Sequence, residues 1–422
     1  MALEKLLVRD SGPLSGSVSV SGSKNASLPI LAATLLTDGE CIINRVPDLS
    51  DTNYMFQILG MLGADVERSS GRMVIEAKSL TPTAPYELVR KMRASVCVLG
   101  PLLGRLHEAK VAIPGGCVIG DRPIDLHLRG FEALGAQVEV EGGNINLSAP
   151  KGLTGTTVNL SGKYGSTVLG TDNVMMAATL AKGTTVIEGA AVEPEVVDLA
   201  NFLNSMGAKV SGAGTTTISI EGVEGLNGRE HTVIPDRIEA GTFLVAGAIT
   251  GGSITIKNVD AEHQTALLDK LRECGFTVTV EDNNISLGPN GGAKGCDITT
   301  LPYPGFATDM QAQMCALFAT TPGESVVIEN IFPQRFMHIA ELTRMGANIS
   351  LEGAKATIQG VDRLSGAPVM ASDLRASAAL VLAGLKAEGE TEVNRLYHID
   401  RGYEHIDRKL RKLGADVERV PM

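Results

Sequence analysis

Hydrophobic and polar positions along the chain follow two periods. Stretches such as "VVDLANFLNSMG" and "ALLDKLRECG" repeat apolar residues every three or four positions and predict amphipathic helices. Stretches such as "AQVEVEGGNINLSA" and "ANISLEGAKATIQG" alternate around a short polar turn and predict strand hairpins. The two patterns meet at one recurring phrase: "LGADVER", "LGAQVEV", "MGAKVSG", "CGFTVTV", "MGANISL" and again "LGADVER". Its glycines are Gly63, Gly135, Gly207, Gly275, Gly346 and Gly414, spaced about 70 residues apart. Each ends a helical pattern and opens a strand pattern, the position of a helix C-terminal cap that needs positive φ.

A second helix occurs once per unit: "KNASLPILAATLL", "MRASVCVLGPLLG", "VLGTDNVMMAATLA", "RIEAGTFLVAGAI", "TDMQAQMCALFAT" and "DLRASAALVLAGL". These segments are apolar nearly all round, so they belong in a core. Each leads into a β-rich stretch such as "TTVIEGA" or "ESVVIENI". The unit therefore reads helix–strand–helix–strand–strand, six times over. An open solenoid is the simplest alternative, but a buried helix needs partners on every side, which favours a closed cluster. The sixth unit stops at "LGADVERVPM" without its second strand, and the chain begins with the strand-like "EKLLVRD". Joining the two predicts two domains. One is discontinuous, residues 1–22 with 234–422, and holds repeats four to six. The other, residues 23–233, holds repeats one to three and the loop with Cys117. Two connecting strands imply a hinge and a cleft.

Composition narrows the function classes. Net charge is −11, aromatics are 4% and tryptophan is absent. This argues against nucleic-acid and anionic-membrane partners. The longest apolar runs are about half a membrane span, and "MALEKLLVRD" lacks the form of a signal peptide. Six cysteines without a C-x-x-C pair read as reduced cytoplasmic thiols. Cys41, Cys97, Cys274 and Cys315 lie in apolar patterns, while Cys296 in "GGAKGCD" is not placed. The seven histidines show no zinc spacing, and phosphate-loop, nucleophile-elbow and dinucleotide fingerprints are missing. The expectation is no metal and no cofactor. Monomer and homo-oligomer are left open.

Candidate chemistry gathers at the starts of the buried helices: Lys24 and Asn25, Arg93, Asp236, Arg237 and Glu239, Asp309, then Asp373 and Arg375. A carboxylate there can simply cap its helix. A lysine or arginine opposes the helix dipole unless an anion completes the site. Arg335 in "PQRFMH" and Arg401 in "HIDRGYEHI" add groups suited to phosphate or carboxylate. In "PGGCVIGDRPIDLH", Cys117 stands among glycines; Arg122 would lower its thiol pKa and Asp121 would oppose that.

Eight ordered motifs, "SGSKNASLPIL", "YELVRKMRAS", "PGGCVIGDRPIDLH", "IPDRIEAGTFLVA", "TDMQAQ", "RFMHIAELTRMGA", "SDLRAS" and "LYHIDRGYEHI", carry a resemblance from about Leu6 to Val420. The chain resembles the enolpyruvyl transferase family, specifically the UDP-N-acetylglucosamine 1-carboxyvinyltransferases. The resemblance implies an α/β, two-domain inside-out α/β barrel of six βαβαββ-like repeats. It implies transfer of the enolpyruvyl group of phosphoenolpyruvate to the 3′-hydroxyl of UDP-N-acetylglucosamine, with phosphate released through a tetrahedral intermediate. That reaction is the first committed step of peptidoglycan precursor synthesis. It further implies that Lys24, Arg122 and Arg401 hold phosphoenolpyruvate with Arg93 and Arg375 close by, and that Asn25 touches both substrates. Asp309 would be the base on the hydroxyl. Cys117 would donate a proton or assist release, and is the thiol that fosfomycin alkylates in the family. Arg122, Pro123, Ile124, Asp125 and Leu126 would cradle the uridine. Lys163, Leu169 and Gly170 would meet the diphosphate, and Ile331 and Arg335 would line the sugar. Two alternatives stand beside this. A 5-enolpyruvylshikimate-3-phosphate synthase shares fold and chemistry but lacks the cysteine loop. A non-catalytic nucleotide-sugar-binding relative would have lost Lys24, Asp309 or Arg401.

Overall fold

All six recurring glycines adopt the left-handed backbone that only glycine takes easily, with φ between 93° and 108°. Each terminates a helix of the outer type: Ser50–Met61, Asp125–Ala133, Pro194–Ser205, Thr265–Glu273, His338–Arg344 and Ile406–Lys412. These helices bury one face. In Thr265–Glu273 only Leu267, Leu268 and Leu271 are buried, as a three-and-four spacing requires. The computed structural model describes residues 4–113, 124–163, 165–288 and 292–422.

The second helix of each unit is Lys24–Ala33, Leu99–Leu106, Val168–Ala178, Arg237–Thr250, Gln311–Ala319 or Leu374–Gly384. Every residue of Gln311–Ala319 is buried, and so is every residue after Arg237 in Arg237–Thr250. Small residues let these helices approach closely. A Cβ at Gly100 would stand 2.3 Å from the carbonyl oxygen of Asn173 in a neighbouring buried helix.

After each recurring glycine in the first five units an antiparallel hairpin forms, as in Asp65–Ser69 with Arg72–Glu76 and Asn348–Glu352 with Lys355–Gln359. The hairpin continues onto the strand that follows the buried helix, for example Arg72–Glu76 onto Cys41–Asn44. A further strand then joins in parallel, as Thr157–Asn159 joins Thr184–Glu188. Among the described residues the second repeat has only an isolated parallel bridge, Thr83 with Lys110, at that place.

The chain divides into two compact units, one built from residues 4–21 and 235–422 and the other from 22–113 and 124–234. Each has its own apolar core. In the discontinuous unit Glu4–Arg9 lies between Glu390–Asn394 and Val417–Pro421, antiparallel to both. Ser15–Ser19 runs parallel to Ser253–Lys257. In the other unit Glu230–Thr232 returns to run parallel to Cys41–Asn44. The five described cysteines are buried and unpaired. Cys296, which sequence pattern leaves unplaced, is only 7% exposed and points its thiol at the Lys270 carbonyl. No helix among the described residues is long and apolar enough to cross a membrane.

Candidate active site

Three aspartates near helix starts in the discontinuous unit do different things. Asp236 accepts from the backbone N–H groups of Ile238 and Glu239, both at 2.9 Å, and Asp373 from those of Arg375 and Ala376 at 2.9 and 3.2 Å. Both are helix caps. Asp309 caps nothing. It lies in the short 3-10 turn Thr308–Met310, before the helix Gln311–Ala319 begins. Its oxygens accept instead from Arg335 Nη1 at 2.7 Å and Arg375 Nη2 at 3.0 Å. Burial pushes the Asp309 carboxyl up, but the Arg375 and Arg335 guanidinium groups outweigh it and hold it well below the usual carboxylate range. Asp309 is therefore an ionised acceptor between two fixed donors.

The elements around it explain the geometry. Glu329, fully buried, ends the strand Glu324–Glu329 and accepts from the hydroxyls of Thr300 at 2.7 Å and Thr308 at 2.9 Å. It also accepts from the backbone N–H groups of Ile331 and Phe332. One carboxylate thus fixes both the turn that carries Asp309 and the segment leading to Arg335. Sequence reading passed over Glu329 because its partners lie up to 29 residues away. Ile331 opens the segment to Arg335. Arg401 closes the 3-10 helix Leu396–Arg401, which packs on the buried helix Leu374–Gly384. The two remaining charges at this unit's first helix start are already engaged. Arg237 lies 5.5 Å from the ring centre of Tyr303. Glu239 pairs with Lys409 at 2.5 Å, and burial pushes its carboxyl up to about 7 against that partner.

In the other unit Lys24 and Asn25 open the buried helix Lys24–Ala33, which Ser23 caps through the N–H of Ala26. Lys24 Nζ lies 3.1 Å from Asp51, a carboxylate only 1% exposed in the first turn of Ser50–Met61. Asp51 was not singled out from sequence; an acidic residue in a helix first turn is the signal that could have marked it. Arg93 begins the 3-10 helix Arg93–Val98 that leads into Leu99–Leu106. Ile124, Asp125 and Leu126 form the start of Asp125–Ala133. Leu126 packs close to Gly162, where an added Cβ would lie 3.0 Å from its side chain. Gly162 immediately precedes Lys163, which stands exposed between the short strands Ser161–Gly162 and Gly165–Ser166. Leu169 and Gly170 occupy the first turn of Val168–Ala178, capped by Thr167. The segments at residues 124–126 and 162–163 are thus neighbours. Buried Asn173 ties them to the Arg93 segment, accepting from Gly100 N–H at 2.8 Å, donating to the Val96 carbonyl at 3.0 Å and meeting His127 Nδ1 at 3.0 Å. Cys117, Asp121, Arg122 and Pro123 lie outside the described residues. No cluster of three or more metal-ligating side chains occurs among the described residues.

Six buried helices, five of them in units that close with their own hairpin, define an α/β protein of the enolpyruvyl transferase fold. The solved enolpyruvyl transferase NikO from Streptomyces tendae superposes over 100% of both chains with a TM-score of 0.89 at 23% identity. EPSP synthase from Acinetobacter baumannii superposes over 99% of this chain with a TM-score of 0.77 at 18% identity. These likenesses speak for the fold alone. The family profile of EPSP synthase (3-phosphoshikimate 1-carboxyvinyltransferase) matches residues 8–410, and the chain belongs to that family. Among its curated relatives, the UDP-N-acetylglucosamine 1-carboxyvinyltransferase of Akkermansia muciniphila is 62% identical over 421 residues, covering 99% of both chains. The protein of the same name from Methylacidiphilum infernorum is 58% identical over 418 residues, again 99% of both.

Proposed function

We propose that this protein transfers the enolpyruvyl group of phosphoenolpyruvate to the 3′-hydroxyl of UDP-N-acetylglucosamine and releases phosphate, the first committed step of peptidoglycan precursor synthesis. The observation that carries the reading is the 62% identity, end to end, to a relative named for that activity. The geometry supports it independently. The reaction needs a base at the sugar hydroxyl and cations around a phosphate and a carboxylate. Asp309 is an ionised carboxylate within hydrogen-bonding distance of two arginines, and Lys24 and Arg93 begin buried helical segments.

In this reading Asp309 takes the proton of the 3′-hydroxyl. Anionic groups of the substrates compete for Arg375 and Arg335, and each guanidinium contact that leaves Asp309 raises its proton affinity. Lys24, Arg122 and Arg401 hold phosphoenolpyruvate with Arg93 and Arg375 beside them, and Asn25 touches both substrates. Arg122, Pro123, Ile124, Asp125 and Leu126 hold the uridine, Lys163, Leu169 and Gly170 the diphosphate, and Ile331 and Arg335 the sugar. Cys117 supplies the proton or assists release. A cytoplasmic location belongs to the same reading, supported by five buried cysteines that remain unpaired.

The test is phosphate release from phosphoenolpyruvate by the purified protein. Release is expected with UDP-N-acetylglucosamine and not with shikimate 3-phosphate, the acceptor in the family profile's own description. Release with shikimate 3-phosphate instead, or with neither, overturns the proposal.

A further inference from the structure

Thr308 stands one residue before Asp309 in "TDMQAQ" and joins two other segments through a single oxygen. Its Oγ1 lies 2.9 Å from Glu329 Oε2 and 3.1 Å from Arg335 Nη1. Glu329 is fully buried and Arg335 only 6% exposed, so both rely on protein groups for their hydrogen bonds. The backbone of Arg335 is seated as well, its N–H donating to the Phe332 carbonyl at 2.8 Å.

Donor accounting fixes the direction of each bond. A guanidinium only donates, so Thr308 Oγ1 accepts from Arg335 and sends its single proton to Glu329 Oε2. Arg335 Nη1 has two protons: one reaches Thr308 Oγ1 and the other Asp309 Oδ1 at 2.7 Å. Both are thus spent on adjacent residues of one turn. Glu329 is pinned toward Thr308, because its Oε1 accepts from Thr300 Oγ1 at 2.7 Å and from the Ile331 and Phe332 N–H groups at 2.8 and 2.9 Å. The bonds run in series from the buried carboxylate through the hydroxyl to the guanidinium and on to Asp309. Nε and Nη2 of Arg335 hydrogen bond to no described residue, which leaves them available to a ligand.

We propose that Thr308 is a positioning residue for the nucleotide sugar: its hydroxyl, oriented by Glu329, locks Arg335 Nη1 beside Asp309 and so sets the plane of the guanidinium that lines the sugar. The inference rests on the roles of Arg335 and Asp309 given under Proposed function. Thr308 touches no reacting atom. It acts by removing rotational freedom from a group that must be in place when the sugar arrives, so its loss is felt as weaker sugar binding.

The experiment compares Thr308→Val, which keeps the shape and removes the hydroxyl, with Thr308→Ser, which keeps the hydroxyl. Two measurements are made on the full chain: steady-state kinetics with phosphoenolpyruvate and UDP-N-acetylglucosamine, and NMR of the Arg335 guanidinium protons without substrate. In Thr308→Val, KM for the nucleotide sugar should rise about tenfold while KM for phosphoenolpyruvate stays within about twofold of wild type. A partly unfolded enzyme would instead lose kcat with both KM values unchanged. Exchange of Nη1 with Nη2 by rotation of the Arg335 guanidinium should quicken about tenfold in the same variant, because one of the two bonds that oppose it is gone. Thr308→Ser should restore both quantities to within about threefold of wild type. If Thr308→Val does not fold, Glu329→Gln decides by the same two quantities. Its amide oxygen is required by the three donors at the Oε1 position, so its NH2 group meets Thr308 and takes away the acceptor of the hydroxyl proton. A change in only one of the two quantities, in neither, or a serine variant as impaired as the valine one, overturns the proposal. If wild type releases no phosphate with the nucleotide sugar, the proposed function falls, and the guanidinium rates alone decide whether Thr308 holds Arg335.

Discussion

Asp309 is a carboxylate whose charge is maintained by its neighbours. Its side chain is 27% exposed, yet Arg335 is 7% and Arg375 only 3% exposed, so both partners are largely withdrawn from water. Removing its charge leaves two shielded cations facing each other. Asp309→Asn should lower phosphate release by about 10²-fold or more, as expected for loss of a general base. It should also change the acid limb of stability. The folded pKa of Asp309 is depressed, so its contribution to stability is complete above the unfolded value of about 3.9 and is lost as pH falls toward the folded value. Denaturation midpoints from pH 7 down to acid should therefore fall less steeply in Asp309→Asn than in wild type. Equal slopes would mean that the two arginines do not hold the carboxylate in solution. At this scale the sequence was readable where a charge sat at an odd place, as Lys24 and Arg375 do at helix starts. It was not readable for Asp51 or Glu329. Each is an ordinary residue in its local pattern, and the group that gives it meaning arrives from another part of the chain.

The elements owe their close packing to glycine and alanine. Gly360 follows the hairpin Asn348–Gln359, and a Cβ there would stand 1.7 Å from the carbonyl oxygen of Thr321. That contact is backbone, which cannot swing aside. Gly60, in the outer helix Ser50–Met61, has nothing within 4 Å of its would-be Cβ. Gly360→Ala should destabilise the protein by about 2 kcal/mol or more, while Gly60→Ala should stabilise it by up to about 1 kcal/mol through helix propensity. Urea denaturation of the two variants separates these signs, and a neutral Gly360→Ala would show that the loop relaxes freely. The helix–glycine–hairpin order was legible because it depends on local backbone chemistry. The exact start of a buried helix was less so. Asp309 reads as the first residue of its helix, but a 3-10 turn intervenes and the helix begins at Gln311. The turn is held by Glu329 through Thr308, a contact between segments that local propensity does not contain.

At the scale of the whole molecule the first residues of the chain belong to a unit made mostly of its second half. Glu4–Arg9 is an interior strand of the sheet that also contains Glu390–Asn394 and Val417–Pro421, and Leu6 and Val8 are fully buried there. Deleting residues 1–21 should leave that sheet without its middle and expose the Leu6 and Val8 sites of the core. Limited proteolysis of such a variant should degrade residues 235–422 while a fragment from about residue 22 to 234, which has its own core, persists. Equal resistance of both halves would contradict the dependence of the discontinuous unit on its N-terminal strands.

Sequence alone determined the repeat: six glycines that need positive φ, six helices too apolar to be anywhere but inside, and hairpins whose alternation buries one face. These are consequences of backbone sterics and of the hydrophobic effect acting over a few neighbouring residues, so a local reading suffices. It also marked cations at helix starts, because their conflict with the helix dipole is visible one residue at a time. Tertiary structure decided which charges meet. Three aspartates with similar local surroundings became two caps and one carboxylate held between Arg335 and Arg375. That sorting depends on distances between segments 26 to 66 residues apart. Coulomb energy and hydrogen-bond geometry act through space, and only the folded chain brings those groups within 3 Å of each other.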